Sequence, residues 1–126
     1  MASKEMMRRY LDLITAGEFA AATEYWADDL VGHMSGNNPT SGTYTGKKAW
    51  IEWSVAAVAM QDSVRVEEHD LLVSDDHAVV LATMHAERSG KQLSYNRIAV
   101  FHTEGEKITE AWLIDDDQEA VDDFLS

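Results

Sequence analysis

What most limits the fold of this chain is a change of hydrophobic period at Val64. Before it, apolar residues recur at spacings of three and four; after it, they alternate, so helices come first and strands follow. Four strands are readable, over 64–73, 77–88, 92–103 and 107–115. The intervening Ser74-Asp-Asp-His77, Ser89-Gly-Lys91 and Glu104-Gly-Glu106 are short enough to be hairpin turns, which makes the four strands an antiparallel meander.

The first half supplies the cover for that sheet. Met7, Tyr10, Leu11 and Ile14 form one face of a helix over 4–16 that stops at Gly17. A second helix is expected over 18–27, with Phe19, Ala22 and Trp26 inward and Asp28-Asp29 closing it. Leu30 to Met34 reads as a short strand, and Ser35-Gly-Asn-Asn-Pro-Thr-Ser-Gly42 is dense in turn formers. Gly42-Thr-Tyr-Thr-Gly46 then leads into a third helix, about 47–60, with Trp50, Trp53, Ala57 and Met60 on one side. Three helices against one face of a strongly curved antiparallel sheet give an α+β cone with a pocket between the layers.

Composition narrows what such a pocket can do. The 126 residues suit a single domain over 1–126 that buries about two-thirds of its unfolded surface. Cysteine is absent, which removes disulfides, thiol catalysis and thiolate metal sites. No His-x-His or His-Glu-x-x-His pattern occurs either, so no metal site is expected. The N-terminus has no signal-like apolar run, no stretch approaches membrane-spanning length, and the expected compartment is the cytoplasm. A formal charge of −13 opposes nucleic acid and anionic membrane surfaces as partners.

Chemistry-bearing residues gather at the C-terminus, where the apolar strand ending Trp112-Leu-Ile114 meets Asp115-Asp-Asp117. A tryptophan gives a pocket its shape and a carboxylate gives it proton chemistry. Like-charge repulsion and burial would raise Asp116 toward a useful acid/base range; alternatively the trio caps the following turn, Gln118 to Leu125. His33, ahead of the turn-rich loop, and His85, central in a long strand, could accept a proton if they point inward, or simply be hydrogen-bonded where they stand. Trp26, Trp50, Trp53, Tyr95 and Trp112 combine apolar area with a donor and suit walls around a ring-bearing ligand. Arg97 shares an alternation face with Leu93, Tyr95, Ala99 and Phe101, so it needs either a carboxylate, Glu110 or Asp116, or an anionic ligand.

The ordered segments Arg9-Tyr-Leu-Asp-Leu-Ile-Thr-Ala-Gly-Glu-Phe19, Tyr25-Trp-Ala-Asp-Asp-Leu-Val31, Ser41-Gly-Thr-Tyr-Thr-Gly-Lys-Lys-Ala49 and Phe101-His-Thr-Glu-Gly-Glu-Lys-Ile-Thr-Glu-Ala-Trp112 resemble the SnoaL-like branch of the nuclear transport factor 2-like superfamily, whose folds are cystatin-like cones. The superfamily includes ketosteroid isomerases, SnoaL-type polyketide cyclases and limonene epoxide hydrolases. The resemblance puts Tyr10 where the isomerases keep their oxyanion-binding tyrosine. It puts Met34 and Ala99 where they keep their two catalytic aspartates, so steroid isomerisation is not the expected activity. Matched to the cyclases, Asp116 is the acid/base by its spacing from Trp112, and His102 is the assisting histidine. An epoxide hydrolase would need a second buried aspartate beside Arg97 and Asp116.

Three functions follow as expectations. One is cofactor-independent acid/base chemistry on a small hydrophobic or aromatic carbonyl compound; another is a non-catalytic module binding such a molecule; the third is a structural dimer. A homodimer is expected from the resemblance and from the sheet face that three helices leave open.

Overall fold

The computed structural model describes residues 4–126, so the first three residues of the expected 1–126 domain lie outside the described residues. In chain order the elements are α1 (Lys4–Thr15), α2 (Phe19–Ala22), β1 (Trp26–Met34), β2 (Gly42–Thr45), α3 (Lys47–Ala59), β3 (Ser63–Val73), β4 (His77–Arg88), β5 (Lys91–Glu104), β6 (Lys107–Asp115) and α4 (Gln118–Leu125). Helix α1 buries Met6, Met7, Tyr10 and Leu11. It stops at Gly17, whose φ of +76° suits a residue without Cβ. There Gly17 N donates to Ile14 O and Glu18 N to Leu13 O.

The second helix is shorter than its apolar spacing predicts. After α2 and a 3-10 turn over Thr23–Tyr25, the backbone extends at Trp26, with φ −92° and ψ 130°. Trp26 is the first residue of β1 rather than the end of a helical stripe, and it pairs with Ile108 of β6. Asp28 and Asp29 consequently sit in a strand. Sheet pairing supplies the hydrogen bonds that one more helical turn would have made.

The four-strand meander forms as the turns predict, and two more strands extend it. The sheet order is β2-β1-β6-β5-β4-β3. Strand β2, which reads in sequence as the approach to α3, pairs antiparallel with β1. The pairing of β1 with β6 is parallel, as it must be when a long crossover of helix and meander separates two neighbouring strands running the same way.

On the inner face α3 packs on β1 and α1 on β3. Met6, Met7, Leu30 and Ile108 are fully buried beneath them, each worth roughly 1.5–3 kcal/mol of burial. At Gly32 the ring of Trp50 comes so close that a Cβ would run into it. Strand and helix therefore need a glycine here.

Helix α4 folds back onto β4 and β5. Its Val121, Phe124 and Leu125 pack with Met84, Ala86 and Tyr95. Asp117 caps it, accepting from Ala120 N at 3.4 Å. Arg88 Nη1 holds its far end by donating to the carbonyls of Phe124 and Ser126, both at 2.9 Å. Asp122 holds its flank, accepting from Asn37 N and Asn38 Nδ2 of the turn-rich loop. Among the described residues no helix is long and apolar enough to cross a membrane.

Candidate functional site

Between the helices and the inner sheet face lies a cavity of about 700 Å³. Its walls are almost wholly apolar. Strands β4 and β5 contribute Val80, Ala82, Ala99 and Phe101 from positions two apart, and α3 contributes Trp50 and Trp53. The two indoles stack with centroids 4.1 Å apart and planes at 10°. Trp53 is fixed from the other side, its Nε1 donating to Thr40 O at 2.8 Å, and Tyr44 OH donates to the same carbonyl. The turn-rich loop thus sets the position of the aromatic wall. Val55 and Val58 line the cavity yet are 65% and 40% exposed, which places its mouth at α3, facing Phe19, Ala20 and Thr23.

One charge stands in this wall. Arg97 lines the cavity, and its Nε and Nη2 bond the two carboxylate oxygens of Asp115 at 2.8 and 3.2 Å. Asp115 has no exposed side-chain surface and Arg97 only 15%; no other ion pair among the described residues is as buried. Burial disfavours the cation, but neighbouring Tyr95 and the contact with Asp115 outweigh it, and the Arg97 pKa lies above its ordinary value. Nε and Nη2 take up the carboxylate, which leaves Nη1 without a protein acceptor among the described residues. Tyr95 OH lies 3.4 Å from Nη2, and burial raises its pKa. A second polar point is Tyr10, whose oxygen accepts from Trp26 Nε1 at 3.2 Å. Burial pushes that phenol up to about 12, so it keeps its proton at neutral pH.

Of the residues singled out in the sequence, Tyr10, Trp26, Trp50, Trp53, Tyr95 and Arg97 are brought together here. The others are not. Alternation puts Asp115 inward and Asp116 outward, and Asp116 is exposed, accepting from Asn96 N and Nδ2 at 3.1 Å. The partner of Arg97 is accordingly Asp115, directly opposite it in register, in place of Glu110 or Asp116. His33 also faces outward, stacked on Trp112 at 5.6 Å and bonded to Thr43 Oγ1 and Glu110 Oε2 at 3.1 and 2.7 Å. The two line a shallow open groove rather than the cavity. His85 lies between Ser94 and Glu67, and His102 is bonded to Thr109, both on the outer face. Among the described residues no group of three or more His, Asp or Glu could hold a metal ion.

The sequence pattern of the SnoaL-like domain matches residues 7–111. The chain belongs to the SnoaL-like domain family. No curated protein matches it. Solved structures resemble this SnoaL-like domain in fold. A protein of unknown function with a cystatin-like fold from Xanthomonas campestris has a TM-score of 0.91 and 21% identity over 100% of this chain and 99% of its own. An ntf2-like protein from Burkholderia pseudomallei has a TM-score of 0.84 and 13% identity over 97% and 95%. TerC, co-crystallized with polyporic acid, has a TM-score of 0.83 and 14% identity over 96% and 95%.

Within this SnoaL-like domain, Met34 and Ala99 both face the cavity. The places where the isomerases were expected to keep carboxylates are thus apolar wall. Phe101, Leu113 and Leu125 also line the cavity and were not singled out in the sequence. Phe101 was accessible through its parity with Arg97. Leu125 was not, because its role depends on α4 folding back over the cone.

Proposed function

We propose that this SnoaL-like domain binds a small, ring-bearing, largely apolar molecule in its cavity and anchors one oxygen of it on Arg97. The carrying observation is the guanidinium that gives its Nε/Nη2 edge to Asp115 and has no protein acceptor on Nη1 among the described residues, in a cavity whose walls are otherwise mostly apolar. Arg97 and Asp115 together are neutral, so the anchored group is a carbonyl, enol or quinone oxygen. Tyr95 lies beside that point, and Tyr10, from α1, adds a second hydroxyl among the lining residues.

Binding is favoured over turnover by the protonation states available at the wall. Tyr10 and Tyr95 are held protonated by burial and Arg97 is cationic, so the lining offers donors. No free carboxylate or imidazole is among the lining residues, and Asp115 behind them is engaged on both oxygens. Acid/base chemistry by Asp116 would need a substrate on the outer face, outside the apolar cavity.

The test is titration of tryptophan fluorescence, since Trp26, Trp50 and Trp53 all line the cavity. Polyporic acid, an aromatic quinone, and simple aromatic ketones are the probes. Saturable quenching is expected. Arg97→Lys, which keeps the charge but not the fork, and Tyr95→Phe should each weaken it, Arg97→Lys by about tenfold or more for a lost charged hydrogen bond. Equal affinity in Arg97→Lys and wild type would remove the anchor from the reading. Saturation that is undisturbed by lengthening Val55 to Arg at the mouth would move the ligand elsewhere.

A further inference from the structure

The polar groups that line the cavity fall into two kinds, with one exception. Some are engaged within the chain: Ser54 Oγ donates to Trp50 O, Thr40 Oγ1 to Asn38 Oδ1 and Trp53 Nε1 to Thr40 O. Others, Tyr10, Tyr95 and Arg97, have protons to offer. Gln61 is the exception, because what it offers is an acceptor. It lines the cavity, and its Oε1 is buried with no hydrogen-bond partner among the described residues. Buried amide oxygens are rarely left in that condition.

The chain fixes which way that oxygen faces. Helix α3 ends at Ala59, and Gln61 Nε2 reaches back to donate to Ala57 O at 2.9 Å, satisfying one of the carbonyls that a helix leaves unpaired at its C-terminus. With the amide nitrogen committed to a carbonyl, Oε1 is the atom that points away from it. The backbone is pinned on either side: Arg88 Nε donates to Met60 O at 3.1 Å, and Asp62 N to Glu87 O at 2.8 Å. Met60 before it and Val64 after it pack against the cluster that holds Met84, Tyr95 and Leu125. Gln61 therefore stands at the Tyr95 end of the cavity. Arg97 is two residues further along β5, about 7 Å at strand spacing.

We propose that Gln61 is a specificity residue of this cavity: its Oε1 accepts a hydrogen bond from a hydroxyl of the ligand, so that the domain selects ring compounds bearing a hydroxyl apart from the oxygen held by Arg97. This rests on the reading of the cavity as the site of such a compound. A molecule that fills the cavity with apolar surface shuts water away from Oε1 and leaves it unpaired, which costs binding; a hydroxyl at that point makes the bond instead. Discrimination of this kind is sharp, because a buried polar group penalises the analogue that lacks its partner far more than apolar walls penalise a change of shape. Arg97 and Gln61 thus read opposite chemistry. The guanidinium takes an acceptor, the amide oxygen takes a donor, and the two are set by different elements, β5 and the end of α3.

Equilibrium dialysis of the full chain against flavone, an apolar aromatic ketone, and against its monohydroxy and monomethoxy isomers tests this, at pH about 6 where phenols keep their protons. At least one monohydroxy isomer should bind wild type about tenfold or more tightly than both flavone and its own methoxy counterpart, which fills the same space without a proton to give. Gln61→Met should bring that isomer to within about twofold of flavone while leaving flavone as wild type binds it. The ligand-free variant should unfold at the wild-type temperature or above, since it loses an unpaired acceptor along with one hydrogen bond. The hydroxyl-to-methoxyl comparison is made in wild type and depends on no variant. If no isomer gains from its hydroxyl there, or if the gain persists in Gln61→Met, Gln61 does not read a hydroxyl; flavone binding that Arg97→Lys weakens would then leave the cavity reading standing. If none of the compounds binds, both fall together.

Discussion

Removing one member of the Arg97–Asp115 pair should cost far more than removing both. The two groups meet through hydrogen bonds of 2.8 and 3.2 Å, and at about 3 Å their gross attraction is about 5 kcal/mol in a medium of effective dielectric about 20. Desolvating the two ions costs several kcal/mol each, so the net contribution of the intact pair is near zero. Arg97→Met leaves a carboxylate with no exposed surface and no counter-charge, and Asp115→Asn leaves the cation in the same position. Each should destabilise by about 3–5 kcal/mol, a fall in Tm of roughly 12–20 °C for a chain of this size. The double variant Arg97→Met with Asp115→Leu should lie within about 1 kcal/mol of wild type, giving a coupling of at least about 3 kcal/mol. Urea unfolding of the four proteins closes the cycle. The double variant should also fail to hold the ligand that wild type holds, separating the pair's part in binding from its part in folding. If the single costs simply add, or if Arg97→Met costs less than about 1 kcal/mol, the two groups are not a desolvated pair.

Three further outcomes follow. Gly32→Ala should cost about 1–3 kcal/mol, because its Cβ meets the ring of Trp50; a near-ultraviolet circular dichroism spectrum unchanged from wild type, with an unchanged Tm, would show that the ring has room to move. The Tyr10 phenol is raised by burial to about 12, so the folded state keeps a proton that the unfolded chain releases above pH about 10. Stability should therefore fall between pH about 10 and 12, by up to about 2.7 kcal/mol from this group, and Tyr10→Phe should flatten the slope in denaturant titrations. Asp122 is held below its ordinary value, first by the Asn38 side chain and also by Asn37 N and Gln118. The loop-to-α4 tie it makes is present above the ordinary aspartate value and lost as pH falls through the lowered one. Asp122→Ala should accordingly raise amide exchange in 35–38 and α4 at neutral pH, to the level wild type reaches only in acid.

How far the sequence reaches is decided by strand parity. The ends of β3 to β6 were legible because each is bounded by a turn of fixed chemistry, and α1 because Gly17 stops it. Strand β1 was cut short because Trp26 fits a helical stripe and a strand equally well, and only its pairing with β6 chooses between them. In β5, Arg97 and Asn96 break the apolar pattern, so the inward set Tyr95, Arg97, Ala99 and Phe101 could be read directly. In β6, residues 111–114 are all apolar, because Ala111 and Leu113 fill the inner face while Trp112 and Ile114 stand on the outer one. With no polar residue to mark one face, the parity of the three aspartates that follow was open. A register irregularity between His102 and Thr103 also prevents it from being counted across the turn at Gly105. That double-sided apolarity is what hid the inward carboxylate. A polar residue at 112 or 114 would have restored the alternation and named Asp115 as the inward carboxylate.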